Sequence, residues 1–110
     1  MANAIYLNTY KLKKGSSVPD FLKAVEDLFQ GSISKHEGYA MSKIMADGDT
    51  WADYIAFETM EGLNAFLEAS KIAQENGMNE LAEKFYSFIN FSTCKSHIFS
   101  VEKYFYGEFK

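Results

Sequence analysis

Residues 39–58, with the sequence YAMSKIMADGDTWADYIAFE, decide the fold of this chain. Two segments rich in β-forming residues, 39–46 and 51–58, flank a short polar stretch that contains Asp47 and Gly48. An Asp-Gly dipeptide between two such segments is typical of a tight hairpin turn, because glycine readily adopts the positive φ that this turn requires. The pattern therefore predicts two antiparallel strands joined by a hairpin.

The segments on either side of the hairpin predict a sheet with helices. Residues 4–13 are predicted as the first strand. The apolar residues within 21–29 recur at helical spacing, which predicts a helix that begins at an N-cap offered by Ser16 or Ser17 and ends near Ser34. Thr59 and Asn79 are predicted to cap two further helices, the second of which reaches Ile89, and residues 93–106 are predicted as the last strand. The order β-α-β-β-α-α-β is that of one ferredoxin-like α+β domain over residues 1–110, with a four-stranded antiparallel sheet and helices on one face.

Charge and composition argue against several classes of partner. All 11 basic residues are lysines, and the formal net charge is −4. Without arginine the chain lacks the planar bidentate group that binds phosphate and guanine, so no nucleic-acid partner is expected. No apolar run approaches the roughly 18 residues of a membrane span, so no membrane partner is expected either. The N-terminal segment lacks a signal-peptide pattern and Cys94 is the only cysteine, which favours a cytoplasmic location.

Both faces of the predicted sheet carry apolar residues, whereas a sheet with one wet face alternates apolar with polar ones. Strand one, for example, places Ile5 and Leu7 on one face and Tyr6 and Tyr10 on the other. Helices from one copy cover only one face, so the second cover is predicted to be the same face of another copy. This predicts a homodimer whose sheets close into a barrel, with an interface on the order of 2,000 Å² or more.

Three stretches resemble a known superfamily: YKLKKG at 10–15, WADYIAFET at 51–59, and FYSFI at 85–89 before the long final strand. The chain resembles the dimeric α+β barrel superfamily, and especially its antibiotic-biosynthesis-monooxygenase-like group. This resemblance implies a ferredoxin-like homodimer that oxygenates or isomerises a small hydrophobic or aromatic metabolite. It implies chemistry without a cofactor, so neither metal nor flavin is expected.

The chain departs from the functional patterns of two branches of this superfamily. Asn8 stands seven residues before Gly15, where the haem-degrading branch has a cavity asparagine. Phe66 and Asn76 stand where that branch has a tryptophan and an axial histidine, so haem chemistry of that type is not expected. The polyketide branch uses a cavity arginine, and this chain has none. Both catalytic sets are therefore incomplete.

Asn8, Asp53 and His97 are the candidate catalytic residues. The amide of Asn8 could orient a substrate carbonyl or hold a peroxy intermediate, or it could be satisfied by a tyrosine or a water molecule. Asp53, beside apolar walls, could have a raised pKa and act as a base, or it could pair with a lysine or a backbone amide. His97 could be a general base or a metal ligand near neutral pH, or a hydrogen-bonded structural residue.

Aromatic side chains are the candidate ligand-binding residues, since they offer flat apolar area and, in tyrosine, a polar tip. Tyrosine is also enriched at protein interfaces, so the same residues suit a dimer contact, and Trp51 suits packing at the end of the sheet. The set comprises Tyr6, Tyr10, Trp51, Tyr54, Phe57 and Phe66.

Three functions are consistent with these residues. The first is a cofactor-free, monooxygenase-like enzyme with its cavity between sheet and helices, in which Asp53 or His97 deprotonates the substrate while Asn8 and the tyrosines hold it. The second is a non-catalytic dimeric barrel, either ligand-binding or stress-associated, that holds an apolar small molecule. In the third, side chains fill the interior and the protein is purely structural.

Overall fold

The computed structural model describes residues 2–77 and 79–108. No helix within these residues is both long and apolar enough to cross a membrane. The elements, in chain order, are β1 Ala4–Leu12, α1 Val18–Gly31, a short 3₁₀ turn Ile33–Lys35, β2 Tyr39–Asp47, β3 Thr50–Phe57, α2 Met60–Glu75, α3 Glu80–Tyr86 and β4 Ile89–Ser100.

The four strands form one antiparallel sheet in the order β2-β3-β1-β4, with the helices on one face. β1 is central, and its Asn8 lies opposite Asp53 of β3 on one side and Ser96 of β4 on the other. β2 and β3 meet in the expected hairpin, where Gly48 has a φ of +61°. The predicted ferredoxin-like α+β fold is confirmed.

The helices begin where the capping residues predict. The side chain of Ser17 accepts a hydrogen bond from the backbone N–H of Asp20, and that of Thr59 accepts one from the N–H of Gly62. Asn79 does the same at α3, where its Oδ1 lies 2.8 Å from the backbone nitrogen of Ala82. Each cap satisfies one of the backbone donors that have no partner within the helix.

Two predicted boundaries near the C-terminus are wrong. α3 ends at Tyr86, and Ile89 opens β4 opposite Leu12 instead of continuing the helix. The backbone N–H of Lys13 donates to the carbonyl of Phe88 at 2.9 Å, so pairing with β1 overrides the helical spacing of these apolar residues. β4 ends at Ser100, and not at Tyr106: its ladder with β1 ends where Ser100 lies opposite Ala4, and one further backbone hydrogen bond, from the N–H of Val101 to the carbonyl of Asn3 at 2.8 Å, follows it.

The core lies between the sheet and the helices and is built largely of aromatic rings. Phe21 of α1 is fully buried, and its ring centroid lies 5.1 Å from that of Trp51 and 6.0 Å from that of Phe85. Phe57 of β3 stacks on Phe66 of α2 at 5.3 Å. These contacts hold α1, α2 and α3 over the same face of the sheet that carries Asn8 and Asp53.

Candidate functional site

A cavity of about 170 Å³ lies between the sheet and the helices. Four of the candidate residues line it, namely Tyr6, Asn8, Asp53 and Phe66. Its other walls come from α1, α2 and α3, and its lining includes one lysine, Lys71.

Strand register explains why Asn8 and Asp53 meet. Successive side chains of a strand point to opposite faces, so the even-numbered residues of β1 share a face with their partners across the ladders. Asn8 pairs with Asp53, and Tyr10 pairs with Trp51 one step along. The face that carries these residues is the one that the helices cover.

Hydrogen bonds join five polar side chains on this face. Tyr10 Oη donates to Asp53 Oδ1 at 2.5 Å. Tyr6 Oη donates to Ser96 Oγ at 3.1 Å, and Ser96 Oγ donates to Asn8 Oδ1 at 2.9 Å. The side chain of Asn8 also hydrogen-bonds the carboxylate of Asp53. The Asn8 amide is therefore held with its oxygen towards Ser96 and its nitrogen towards Asp53.

Among the residues that the structure describes, Asp53 is the only charged residue that is buried, with 4% of its surface exposed. Burial raises the pKa of its carboxyl group to about 7, and the hydrogen bonds from Tyr10 and Asn8 act in the opposite direction. The ion pairs within the described residues, Lys11–Asp49 and Lys23–Asp27, lie elsewhere. A carboxyl group with this pKa can accept or release a proton near neutral pH, as a general base must.

The other titratable groups around Asp53 favour their protonated forms. Burial, followed by the negative charge of Asp53, raises the pKa of Tyr10. Burial also raises the pKa values of Tyr86 and Cys94, again with a contribution from Asp53. These groups therefore remain protonated near neutral pH, and Asp53 is the member of the cluster suited to take a proton.

His97 and Tyr54 lie on the opposite face of the sheet from Asn8 and Asp53. His97 pairs with Leu7 and stacks on Phe99 with 5.7 Å between ring centroids. Tyr54 also pairs with Leu7, and the Nζ of Lys43 lies 4.7 Å from the centre of its ring. The structure therefore does not bring His97 or Tyr54 together with the other candidates.

Three further candidates share the helix-covered face without lining the cavity. Trp51 packs on Phe21 and Phe57 packs on Phe66, both within the core. Tyr10 is almost fully buried and reaches the site through its hydroxyl group, which contacts Asp53. No group of three or more His, Cys, Asp and Glu side chains placed to hold a metal ion occurs within residues 2–77 and 79–108.

Sequence reasoning missed Ser96 and Tyr86. Ser96 reaches Asn8 because the β1–β4 pairing shifts register between Thr9 and Lys11, and no local sequence pattern reveals such a shift. Tyr86 follows the core residue Phe85 and lines the cavity from α3. Its helical spacing from Ala82, which is also half-buried, is the signal that could have identified it.

Comparisons with known proteins find solved structures of similar fold. No protein-family model and no curated protein matches the chain. Its structure is similar to that of SnoaB, a cofactor-independent oxygenase from Streptomyces nogalater, at 6% identity, with 94% of this chain and 97% of that one covered and a TM-score of 0.68. A monooxygenase from the ActVA-Orf6 gene of Streptomyces coelicolor, in complex with nanaomycin D, is 14% identical over 97% of this chain and 94% of that one, with a TM-score of 0.63.

A third similar structure is a dimeric ferredoxin-like protein from an uncultured marine organism. It is 13% identical, covers 98% of this chain and 95% of its own, and has a TM-score of 0.64. Identities this low establish the fold and leave the chemistry to be argued from the residues. The chain has the ferredoxin-like α+β fold of the antibiotic-biosynthesis monooxygenases, as its sequence resemblance predicted.

Proposed function

We propose that this protein catalyses the cofactor-independent oxygenation of a small hydrophobic, aromatic metabolite, with Asp53 as the general base. The observation that carries the proposal is the placement of Asp53 in the cavity beside Asn8 with a pKa of about 7. At neutral pH, a base with a pKa near 7 is partly in its carboxylate form, and it still has sufficient affinity for the proton that it removes from the substrate.

The proposed reaction converts an activated methylene group, such as that of an anthrone, into a carbonyl group. Asp53 removes one proton, and the resulting carbanion transfers electrons to dioxygen and forms a C–O bond. The peroxide takes up the proton from Asp53, and loss of water with the second hydrogen of the methylene carbon leaves the C=O group. One O₂ is consumed and one H₂O is formed for each CH₂ group oxidised.

The cavity suits the binding step of this reaction. Tyr6 and Phe66 supply aromatic surface, while Asp53 and Asn8 supply polar groups at one end. Two proteins of similar fold support the chemistry: SnoaB is a cofactor-independent oxygenase, and the ActVA-Orf6 monooxygenase was solved with nanaomycin D.

Oxygen uptake with anthrone tests the proposal. General-base catalysis contributes about 100-fold or more, so Asp53→Asn should reduce the rate of uptake by at least that factor. Asp49→Asn, which removes an exposed carboxylate in the hairpin turn, is the matched control and should leave the rate unchanged. Equal rates in the wild type and Asp53→Asn would remove Asp53 from the mechanism.

Ligand binding without turnover is the second candidate function. The observation that favours it is the engagement of both ends of the Asn8 amide, by Ser96 and by Asp53. Under this function a hydrophobic aromatic compound binds to the wild type with no consumption of oxygen. Oxygen uptake and binding measured on the same sample therefore distinguish the two functions.

We also propose that the protein is a homodimer joined through the sheet face that faces away from the helices. Large apolar side chains are exposed there, including Met41 and Phe99, at 41% and 50% of their surface. In the segment that follows β4, Tyr104 and Phe105 are exposed as well, at 37% and 84% of their surface. The dimeric ferredoxin-like protein of similar fold supports this assembly. Sedimentation at micromolar concentration should give twice the mass of the chain, and a monomer would contradict the proposal.

A further inference from the structure

A second cavity, of about 200 Å³, adjoins the one that holds Asn8 and Asp53. We name the cavity with Asn8 and Asp53 the inner chamber, and the second cavity, between α1, α2 and α3, the outer chamber. Six residues line both chambers, so the two spaces are immediate neighbours: Leu28, Ile33, Phe66, Ser70, Gln74 and Tyr86.

The volumes of the two chambers limit the size of a ligand that could use them. An apolar cavity of about 150 Å³ holds a single benzene ring, so either chamber alone suits one small ring system. Binding sites for larger ligands begin at about 300 Å³, and the two chambers together exceed this volume.

The outer chamber differs from the inner one in its polar groups. Asp53 and Lys71 line the inner chamber, whereas no aspartate, glutamate or lysine lines the outer one within the described residues. Its polar lining consists of hydroxyl, amide and imidazole groups, with Ser32, His36 and Asn79 found there alone. Such groups suit an uncharged partner, because an anion or a cation that leaves water needs a compensating charge.

Small side chains keep the outer chamber open. Ala69 and Ala73 of α2 and Ala82 of α3 line it, and larger residues at these positions would fill the space. The side chain of Gln74 hydrogen-bonds Tyr86, so α2 and α3 are linked at the boundary between the chambers.

We propose that the outer chamber is a subsite for an uncharged, hydrogen-bonding substituent (a hydroxyl, carbonyl or amide group) of a ligand whose aromatic ring lies in the inner chamber. This inference rests on the proposed function to the extent that the inner chamber must bind the ring. The inference specifies the length and the charge of the ligand, and the reaction proposed at Asp53 specifies neither.

Calorimetric titration with three probes tests the subsite: naphthol, hydroxyethyl-naphthol and carboxymethyl-naphthol. In the wild type the neutral hydroxyethyl group should tighten binding about ten-fold over naphthol, the effect of one or two good hydrogen bonds, and the anionic carboxymethyl group should not. In Ala73→Leu the added side chain fills the outer chamber, so the ten-fold advantage should disappear while naphthol binds as in the wild type. Ala65→Leu, on an exposed position of the same helix, is the matched control and should keep the advantage.

Each outcome is decisive. Equal affinity of the wild type for naphthol and hydroxyethyl-naphthol would overturn the subsite and leave the proposed function intact. Tighter binding of carboxymethyl-naphthol would overturn the assignment of an uncharged substituent. Failure of every naphthol to bind to the wild type would overturn the proposed function and this inference together.

Discussion

Over residues 5–8 of β1, the two faces carry the reverse of the usual distribution of polar and apolar residues. On the face that the helices cover, Tyr6, Asn8 and Tyr10 take part in a hydrogen-bonded polar cluster. On the face turned away from the helices, Ile5 lies between Ala56 and Phe99, and Leu7 lies between Tyr54 and His97. A sheet packed for stability alone would have these sets exchanged.

The inversion indicates that the two faces have different tasks. Buried polar groups stabilise a fold little beyond the cost of removing them from water, even when each finds a partner. Every buried side-chain nitrogen and oxygen atom of the described residues has a hydrogen-bond partner. The fold therefore accommodates the polar cluster around Asp53, and these hydrogen bonds hold it in one geometry. The covered face thus suits chemistry, and the open face suits contact with a second apolar surface.

The largest expected effect lies in the core of the covered face. Phe21→Ala should lower the free energy of unfolding by about 3–5 kcal/mol, because the fully buried ring contacts Trp51 and Phe85 and leaves a cavity. Leu22→Ala, at the next position and 38% exposed, should cost less than about 1 kcal/mol. Urea unfolding measures both, and equal losses would contradict the assignment of this face as the core.

The open face should respond through assembly. Phe99→Lys places a charge in the proposed dimer contact and should raise the dimer dissociation constant by about 100-fold. Ile72→Lys, at a position 48% exposed on α2, is the control and should leave the constant unchanged. Sedimentation over a concentration series measures the constant. A dimer that is equally stable in both variants would place the interface elsewhere.

The burial of Asp53 should appear in the pH dependence of stability. Its pKa is about 7 in the folded protein and about 4 in an unfolded chain, so the folded state binds the proton more tightly. The free energy of unfolding should therefore fall by about 1 kcal/mol per pH unit as the pH rises from 4 to 7. Asparagine mimics the neutral acid at every pH, so Asp53→Asn should gain stability relative to the wild type over this range.

Denaturant titrations at several pH values check this difference between wild type and variant. Asp49→Asn, which lacks the buried environment, should show no such gain. A difference that is constant with pH would mean that Asp53 is already ionised at pH 4.

The smallest expected effect concerns the hydrogen bond between Tyr10 and Asp53. Because donation from Tyr10 Oη lowers the pKa of Asp53, Tyr10→Phe should move its titration to higher pH. The infrared carbonyl band of the protonated carboxyl group, assigned by its loss in Asp53→Asn, measures the midpoint. Tyr39→Phe removes a hydroxyl group that bonds Ser42 instead, so its midpoint should equal that of the wild type.

Much of the fold and about half of the site follow from local sequence. The Asp-Gly turn and the three caps at Ser17, Thr59 and Asn79 depend on neighbouring residues only, and all four form as predicted. The end of α3 cannot be predicted in this way. Phe85, Phe88 and Ile89 have helical spacing, but backbone pairing with β1 ends the helix at Tyr86, and the local pattern does not reveal that pairing.

Strand alternation explains why Asn8 shares a face with Tyr6 and Tyr10, since that relation depends on period two within one segment. The contacts of these residues with Asp53 and Ser96 depend on register between segments 43 and 88 residues apart. Register also explains why His97 is not in the site. His97 directly follows Ser96, and successive side chains of a strand point to opposite faces of the sheet, so His97 lies on the face away from Asn8.

The sequence by itself determined the elements, their order and the residues that share each face of a strand, because turns, caps and periodicity act over a few residues. The tertiary structure decided which face the helices cover, which carboxylate is buried with a raised pKa, and that two chambers lie side by side between the helices and the sheet. Those properties arise from long-range register and from the removal of water by segments that are distant in the chain, and no local pattern encodes either.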